Sequence, residues 1–254
     1  MNATTWLDWY LQGDGVILEV VIIGLGGVGS ELAHHLMRIL AFGSPFIKIK
    51  LIKVWLVDGD KYVFRNTSRQ RFHKIGNKAT VQAELLSQEF PRILFSAIPF
   101  FVGERKSEIE IPVQSVVKER RIVFLAPDNG KTRKIVNDHC ARLDDCVLIS
   151  GGNDVVDGSA HLYVRREGRN LTPPLSYMNP AVVNPKDLSP AEMNCEELAQ
   201  EKPQLYLANL DVAQSMLILF YSLVTTPIDK DLPFFRIFCD SSTGERRVVV
   251  NENP

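Results

Sequence analysis

The sequence has no Cys-x-x-Cys pair. Its four cysteines, Cys140, Cys146, Cys195 and Cys239, stand apart, which argues against a structural zinc site and against a disulfide framework. Free thiols fit a reducing compartment, so a cytoplasmic protein is expected. An excess of charge of either sign is also missing: the formal net charge is −1. That argues against bulk attraction to nucleic acid or anionic lipid, and neither a nucleic acid nor a membrane is expected as a partner. The apolar run at 216–224 is too short to span a bilayer. The first ten residues lack a basic stretch followed by an apolar core, so no cleavable leader is expected. The histidines, His34-His35 and His139 among them, lack metal-ligand spacing. No internal repeat or low-complexity tract is visible.

What is present is ordinary in amount and specific in order. With 45% hydrophobic and 23% charged residues, 254 residues suffice for one large α/β domain or a domain with a small lobe. The organising stretch is Val20-Val-Ile-Ile-Gly-Leu-Gly-Gly-Val-Gly-Ser30. A β-branched run buried on both faces reads as a strand over 16–24. It runs into Gly24, Gly26, Gly27 and Gly29, and apolar residues at helical spacing follow over 28–42. Gly24 permits the tight turn, Gly26 lets a phosphate chain approach, and Gly29 lets helix and strand pack closely. The free N–H groups and positive dipole end of the helix then face an anion. A lone Gly-x-Gly-x-x-Gly does not say which nucleotide.

Strands are expected at 47–57, 94–102, 121–126 and 147–150, with helices at 78–90 and 132–143 between them. Asp58 and Asp128 fall at strand ends. Alternating elements with ligand-type residues at strand ends imply a doubly wound, mainly parallel sheet. After Gly158 an antiparallel section begins: a strand at 160–165, a proline-broken loop at 171–203, a helix at 204–224 and a hairpin over 234–250. Within the loop, Ser189-Pro-Ala-Glu192 has the pattern of a helix capping box. Trp6, Trp9 and Tyr10 form an arm for the domain or for a partner.

The polar residues after the second strand narrow the chemistry. Asp58 is placed for a ribose hydroxyl in NAD and ATP sites alike. It is followed by Asp60, then Asn66-Thr67-Ser68-Arg69-Gln70, then Lys78. A hydride-transfer enzyme has no need for an Asn, an Arg and a Lys here. A triphosphate does, because fixed cations neutralise the charge that builds on leaving pyrophosphate. Asp128, followed by Asn129, suits magnesium through oxygen ligands.

As a set, Gly24-x-Gly26-Gly27-x-Gly29, Asp58-x-Asp60, Asn66-x-x-Arg69-Gln70, Lys78, Asp128-Asn129, Arg133 and Asn137 resemble the ThiF/MoeB/ubiquitin-activating adenylation superfamily. The later part resembles short bacterial ThiF-like proteins. The resemblance implies a Rossmann-like adenylation domain over 1–254, with a nucleotide-binding half (1–152) and an antiparallel half (153–254) carrying the crossover loop 171–203. It implies ATP and magnesium as cofactors, and adenylation of the C-terminal glycine of a ubiquitin-like protein by in-line attack on the α-phosphate. Asp58 would bind ribose, Asn66, Arg69 and Lys78 the phosphates, and Asp128 the metal. Gln70 and Arg133 would support the site. Cys195 would take the acyl group as a thioester for handover to a conjugating enzyme, and a homodimer is implied. Glu196 and Glu197 oppose thiolate formation at Cys195. Cys140, Cys146 and Cys239 read as buried thiols.

The sequence departs from that family in three places. The first arginine is Arg38, inside the first helix, where the family has one near its N-terminus. The zinc-binding Cys-x-x-Cys pairs are absent. Thr67 stands where leucine is usual. The missing arginine motivates a second reading, a non-catalytic nucleotide-binding scaffold or pseudo-subunit. A third reading, an NAD-dependent oxidoreductase, lacks an identifiable nicotinamide-side residue. A fourth, activation of a peptide C-terminus in natural-product synthesis, shares the first half-reaction.

Overall fold

The computed structural model describes residues 4–11, 17–68, 70–104, 107–187 and 205–250. In chain order the elements are α1 (Trp6–Tyr10), β1 (Ile17–Ile23), α2 (Gly27–Phe42), β2 (Leu51–Val57), β3 (Lys61–Tyr62), β4 (Gly76–Asn77), α3 (Lys78–Glu89), β5 (Ile93–Ile98), β6 (Phe101–Gly103), β7 (Glu110–Pro112), α4 (Val113–Val116), β8 (Arg121–Leu125) and α5 (Gly130–Cys140). They continue with β9 (Cys146–Asn153), β10 (Asp157–Arg166), β11 (Arg169–Asn170), α6 (Leu175–Met178), α7 (Pro180–Val183), α8 (Tyr206–Thr225), β12 (Phe234–Asp240) and β13 (Glu245–Val250).

Nine strands form one sheet in the order β13-β12-β10-β9-β8-β1-β2-β5, with β11 paired to β10. From β9 to β5 the pairs are parallel, and from β9 to β13 they are antiparallel. The mainly parallel α/β sheet with an antiparallel C-terminal section is the one the element pattern implies. β1 is central, which explains its unbroken apolar run. Val20 and Ile22 join a layer with Leu32, Leu36, Met216 and Phe220, while Val21 and Ile23 join Val123, Leu125, Val136 and Cys140 on the other face.

Several expected boundaries move. Pro45 sits in a short helical turn over Ser44–Phe46 after Gly43, so β2 starts only at Leu51 rather than 47. The strand expected at 94–102 is two strands. β5 ends at Ile98, before Pro99, and β6 leaves the main sheet to pair with β7. β9 does not end at Ser150 but runs through Gly151 and Gly152 to Asn153. A Cβ on Gly151 would lie 2.3 Å from the Met216 sulfur of α8, so the strand needs glycine there to pass beneath that helix. The described part of the loop 171–203 holds α6 and α7. The capping box at Ser189–Glu192 lies outside the described residues.

α8 corrects the reading of the C-terminal apolar run. At 20 residues it is long and apolar enough to cross a membrane by length and composition. It packs on α2 and across β9, β10 and β12, with Met216, Leu219 and Phe220 fully buried. This burial in the core accounts for its composition.

The N-terminal arm packs on the protein itself. Trp6, Leu7 and Tyr10 are buried in the α8 layer, and Thr5 and Asp8 form a capping box. The Tyr10 hydroxyl donates to the Arg121 carbonyl at 2.8 Å and accepts from the Val147 amide at 3.2 Å, tying α1 to the starts of β8 and β9. Tyr10→Phe leaves both buried groups short of a partner and should cost about 1–3 kcal/mol. At roughly 2–4 °C per kcal/mol for a chain this size, the thermal midpoint should fall by about 2–12 °C. An unchanged midpoint would show that the hydroxyl anchors nothing.

Candidate functional site

The glycine turn joins β1 to α2 at the carboxyl end of the parallel strands. Gly24 has φ +87°, and a Cβ there would lie 2.7 Å from the Ala126 carbonyl. On Gly29 a Cβ would lie 1.9 Å from the Gly24 oxygen, so helix and turn touch backbone to backbone. At Gly26, by contrast, a Cβ would meet nothing within 4 Å. Asn77 and Asn129 cap α3 and α5 through their side chains, whereas α2 begins at Gly26 with no side-chain cap. The first amides of α2 therefore have no helical partner, and the positive end of the dipole faces the open side of the turn. This geometry fits a phosphate.

Asp58, Asp60 and Lys78 are gathered beside this turn. The buried Asp58 carboxylate accepts from the Leu25 amide at 2.6 Å and from the Asp60 amide at 2.8 Å, so it also braces the glycine loop. Burial pushes its pKa up, partly opposed by Lys78. Lys78 is buried, with its Nζ 2.5 Å from Asp60 Oδ2. Burial acts to lower its pKa, but Asp58 and Asp60, with Asp128 as a lesser influence, outweigh it and hold the ammonium charged. Asn77, which the sequence reading passed over, donates to the Asp58 carbonyl at 2.9 Å and the Asp60 carbonyl at 3.1 Å. It was findable as an N-cap residue just before the helix at Lys78. Tyr62 and Gln82 complete the wall: the Tyr62 hydroxyl donates to the Leu25 carbonyl at 2.8 Å and accepts from Gln82 at 2.9 Å.

Asn66 is buried and its Oδ1 accepts from the Val63 amide at 2.9 Å, closing the turn that leads to Gln70. Gln70 is half-buried, and its Oε1 has no hydrogen-bond partner among the described residues. Arg69 and Cys195 lie outside the described residues. Asp128 is exposed at the end of β8, and Asn129 is buried as the cap of α5, accepting from the Thr132 amide at 2.8 Å. Arg133 lies half-buried beside them. It donates to the Ser150 hydroxyl at 2.7 Å, the Pro127 carbonyl at 2.6 Å and the Gly151 carbonyl at 2.7 Å. Burial lowers its pKa to about 10. Asn137 braces α6 by accepting from the Leu175 amide at 2.9 Å. From the distant α8, Asn209 backs onto Gly27 and accepts from Asn153 at 3.1 Å. No local signal in the sequence marked it.

Cys140, Cys146 and Cys239 are buried free thiols. A hydrogen bond with Cys140, together with burial, raises the Cys146 pKa. Among the described residues no cluster of three His, Cys, Asp or Glu side chains could hold a metal by itself. One carboxylate, Asp128, together with substrate phosphates is nevertheless a donor set that suits magnesium, which keeps several waters in such sites. A separate cavity of about 390 Å³, lined by Trp6, Arg166, Arg169, Ile228 and Lys230, lies at the end of β10 and shares no residue with this site.

A parallel sheet with an uncapped helix N-terminus after its central strand, and Asp58, Lys78 and Asp128 around it, defines a nucleotide-binding protein of the doubly wound class. The chain belongs to the ThiF family, whose profile matches residues 17–196. The members of that family are ATP-dependent adenylyltransferases. No curated protein sequence gives a significant match. Among solved structures the chain resembles E. coli MccB with selenomethionine MccA (TM-score 0.66, 18% identity, covering 98% of this chain and 67% of that one). It also resembles E. coli MccB with ATP (TM-score 0.63, 18% identity, covering 97% and 66%) and PaaA (TM-score 0.62, 14% identity, covering 97% and 66%). The chain thus spans about two thirds of the length of these neighbours.

Proposed function

We propose that this protein uses ATP to adenylate the C-terminal carboxylate of a polypeptide. A substrate carboxylate oxygen bonds to the α-phosphorus, the bond from that phosphorus to the bridging oxygen breaks, and pyrophosphate leaves. The observation that carries the reading is the charged Lys78, held by Asp58 and Asp60 beside an uncapped α2. In this reading the amides of α2 and Lys78 hold phosphate oxygens, Asp58 holds the ribose, and Asn66, Arg69 and Gln70 flank the phosphates. Asp128 would hold magnesium, which when bound neutralises phosphate charge. Positioning and charge neutralisation are what the step needs.

The preferred substrate is the C-terminal glycine of a ubiquitin-like protein. The Cys195 sulfur, having lost its proton, then bonds to the acyl carbon as AMP leaves, and the thioester passes the acyl group to a conjugating partner, in a cytoplasmic homodimer. A second reading, adenylation of a short peptide, is favoured by the likeness to MccB, whose solved structures include MccA. The first test is thermal unfolding with magnesium-ATP or NAD, on wild type and Asp128→Ala. A ligand at 100 times its Kd adds about 2.7 kcal/mol, enough to raise the midpoint by several degrees. The expected result is a rise with magnesium-ATP alone, reduced in Asp128→Ala. A rise with NAD instead would return the chain to the dehydrogenases, and no rise with either would favour the scaffold.

A further inference from the structure

The main sheet has two outer edges, and the sequence treats them differently. β13, at one edge, carries Glu245, Arg246 and Arg247, and the register of its pairing with β12 shifts between Phe234 and Arg236. Charge and irregularity of this kind keep an edge from pairing with another chain. β5, at the other edge, is Ile93-Leu-Phe-Ser-Ala-Ile98, with no charge and an unbroken register against β2. An uncharged, regular edge strand is a template for pairing.

The outer side of β5 is open. Leu94 is 54% exposed, Ser96 is exposed, and Phe95, Ala97 and Ile98 are half-buried. The Ile98 carbonyl accepts from the Asp58 amide at 3.2 Å, so its backbone groups face β2. These groups alternate in direction along a strand, so those of Leu94 and Ser96 also face β2, and those of Phe95 and Ala97 point outward. Among the described residues nothing bonds the outward amides and carbonyls. α3 packs on β5 from the side of Ile93 and Phe95, in the layer with Leu86 and Phe90, and Leu94 and Ser96 lie on the other face. The charge beside Leu94 is Lys53 of β2, which Glu19 holds at 3.9 Å.

β5 complements itself, which makes a second copy the occupant of this edge. Antiparallel pairing about a twofold axis at Ser96 sets Phe95 opposite the partner's Ala97 and Leu94 opposite the partner's Ile98. Each of the two Phe95–Ala97 pairs then exchanges both of its hydrogen bonds, because all of these backbone groups point outward. A large side chain meets a small one, and no like charges oppose each other. Pro99, with no N–H, falls opposite the partner's Ile93, whose amide is already bonded to the Phe90 carbonyl at 3.0 Å, so the ladder ends there. Just beyond, the exposed Arg92 comes level with the partner's Phe100, a cation and a ring at each end of the ladder.

We propose that the protein dimerises by antiparallel pairing of β5 with β5 of a second copy, joining two nine-stranded sheets into one. The proposal gives a surface to the homodimer of the reading above and does not depend on the adenylation chemistry. A ladder this short makes a small interface, so the dimer should form and dissociate with concentration.

The test is sedimentation equilibrium of the full chain over a concentration series without nucleotide. Wild type should pass from 28.6 kDa to twice that mass as concentration rises into the high micromolar range. Ser96→Lys, at an exposed position, sets two ammoniums face to face on the axis and should raise the dimer dissociation constant about tenfold or more. An unchanged thermal midpoint checks that this variant folds. Register is tested with diamide as oxidant in a Cys195→Ser background. Ser96→Cys should give a cross-linked dimer, because Cα atoms of a non-hydrogen-bonded pair are about 4.5 Å apart, within disulfide reach. Leu94→Cys should not, because the two positions are offset by about 14 Å along the strands. A wild type that stays at 28.6 kDa throughout would overturn this pairing and the homodimer with it. A dimer unaffected by Ser96→Lys, or cross-linked as well through Leu94→Cys, would keep the homodimer and overturn the pairing. ATP–pyrophosphate exchange tests the adenylation reading separately.

Discussion

Lys78→Met is expected to reduce ATP–pyrophosphate exchange by about 10²–10³-fold, the range seen when one preorganised donor to developing charge is removed. Methionine keeps most of the buried stem and removes the ammonium. An ammonium has three donors and Asp60 takes one, so two remain for phosphate oxygens. The ammonium is strong at this position because it is buried and has no need to shed water at the moment of reaction. Loss of the cation leaves Asp58 buried without its main stabilising charge. Its carboxyl, already pushed up by burial, is then expected to take a proton rather than unfold the loop. The variant should therefore fold, with a somewhat lower thermal midpoint, and circular dichroism checks this. Exchange at the wild-type level in a folded Lys78→Met would mean that the ion pair with Asp60 only clasps β3 and β4 against α3. The phosphate role would then be lost.

The parts of this site that were legible in the sequence are those whose cause is local. The β-branched run, the glycines and the following 3.6-residue spacing place a strand, a turn and a helix without reference to any other segment, and β1 and α2 follow that reading. Asp58 and Asp128 were placed at strand ends by the same logic. What was not legible comes from segments that meet only on folding. Gly27 looks like part of a phosphate fingerprint, yet the side chain against it is Asn209, and Asn77 is bonded back to Asp58 and Asp60. Gly151 and Gly152 read as a strand ending, but they are strand residues pressed by Met216 on one face and Arg133 on the other. The alignment of Ser150, His161 and Arg236 across β9, β10 and β12 depends on register, and a one-residue slip would send Arg236 to the other face.

The two glycines on either side of the α2 start should separate fold from function. A Cβ on Gly29 would press on the Gly24 carbonyl, and both groups are backbone. Neither can swing aside, so Gly29→Ala should cost about 3 kcal/mol as overpacking does. That is about 6–12 °C of thermal midpoint for a chain this long, with nucleotide binding lost because the turn has moved. Gly26→Ala faces open space and should stay within about 0.5 kcal/mol of wild type. Its methyl group would project into the region where the α2 dipole and the uncapped amides favour a phosphate. The stabilisation by magnesium-ATP should therefore vanish while the midpoint without ligand barely changes. If Gly26→Ala keeps the full magnesium-ATP shift, the phosphates do not pass over Gly26. The amides of α2 would then not be the anion site, and Lys78 would be left to hold the triphosphate without them.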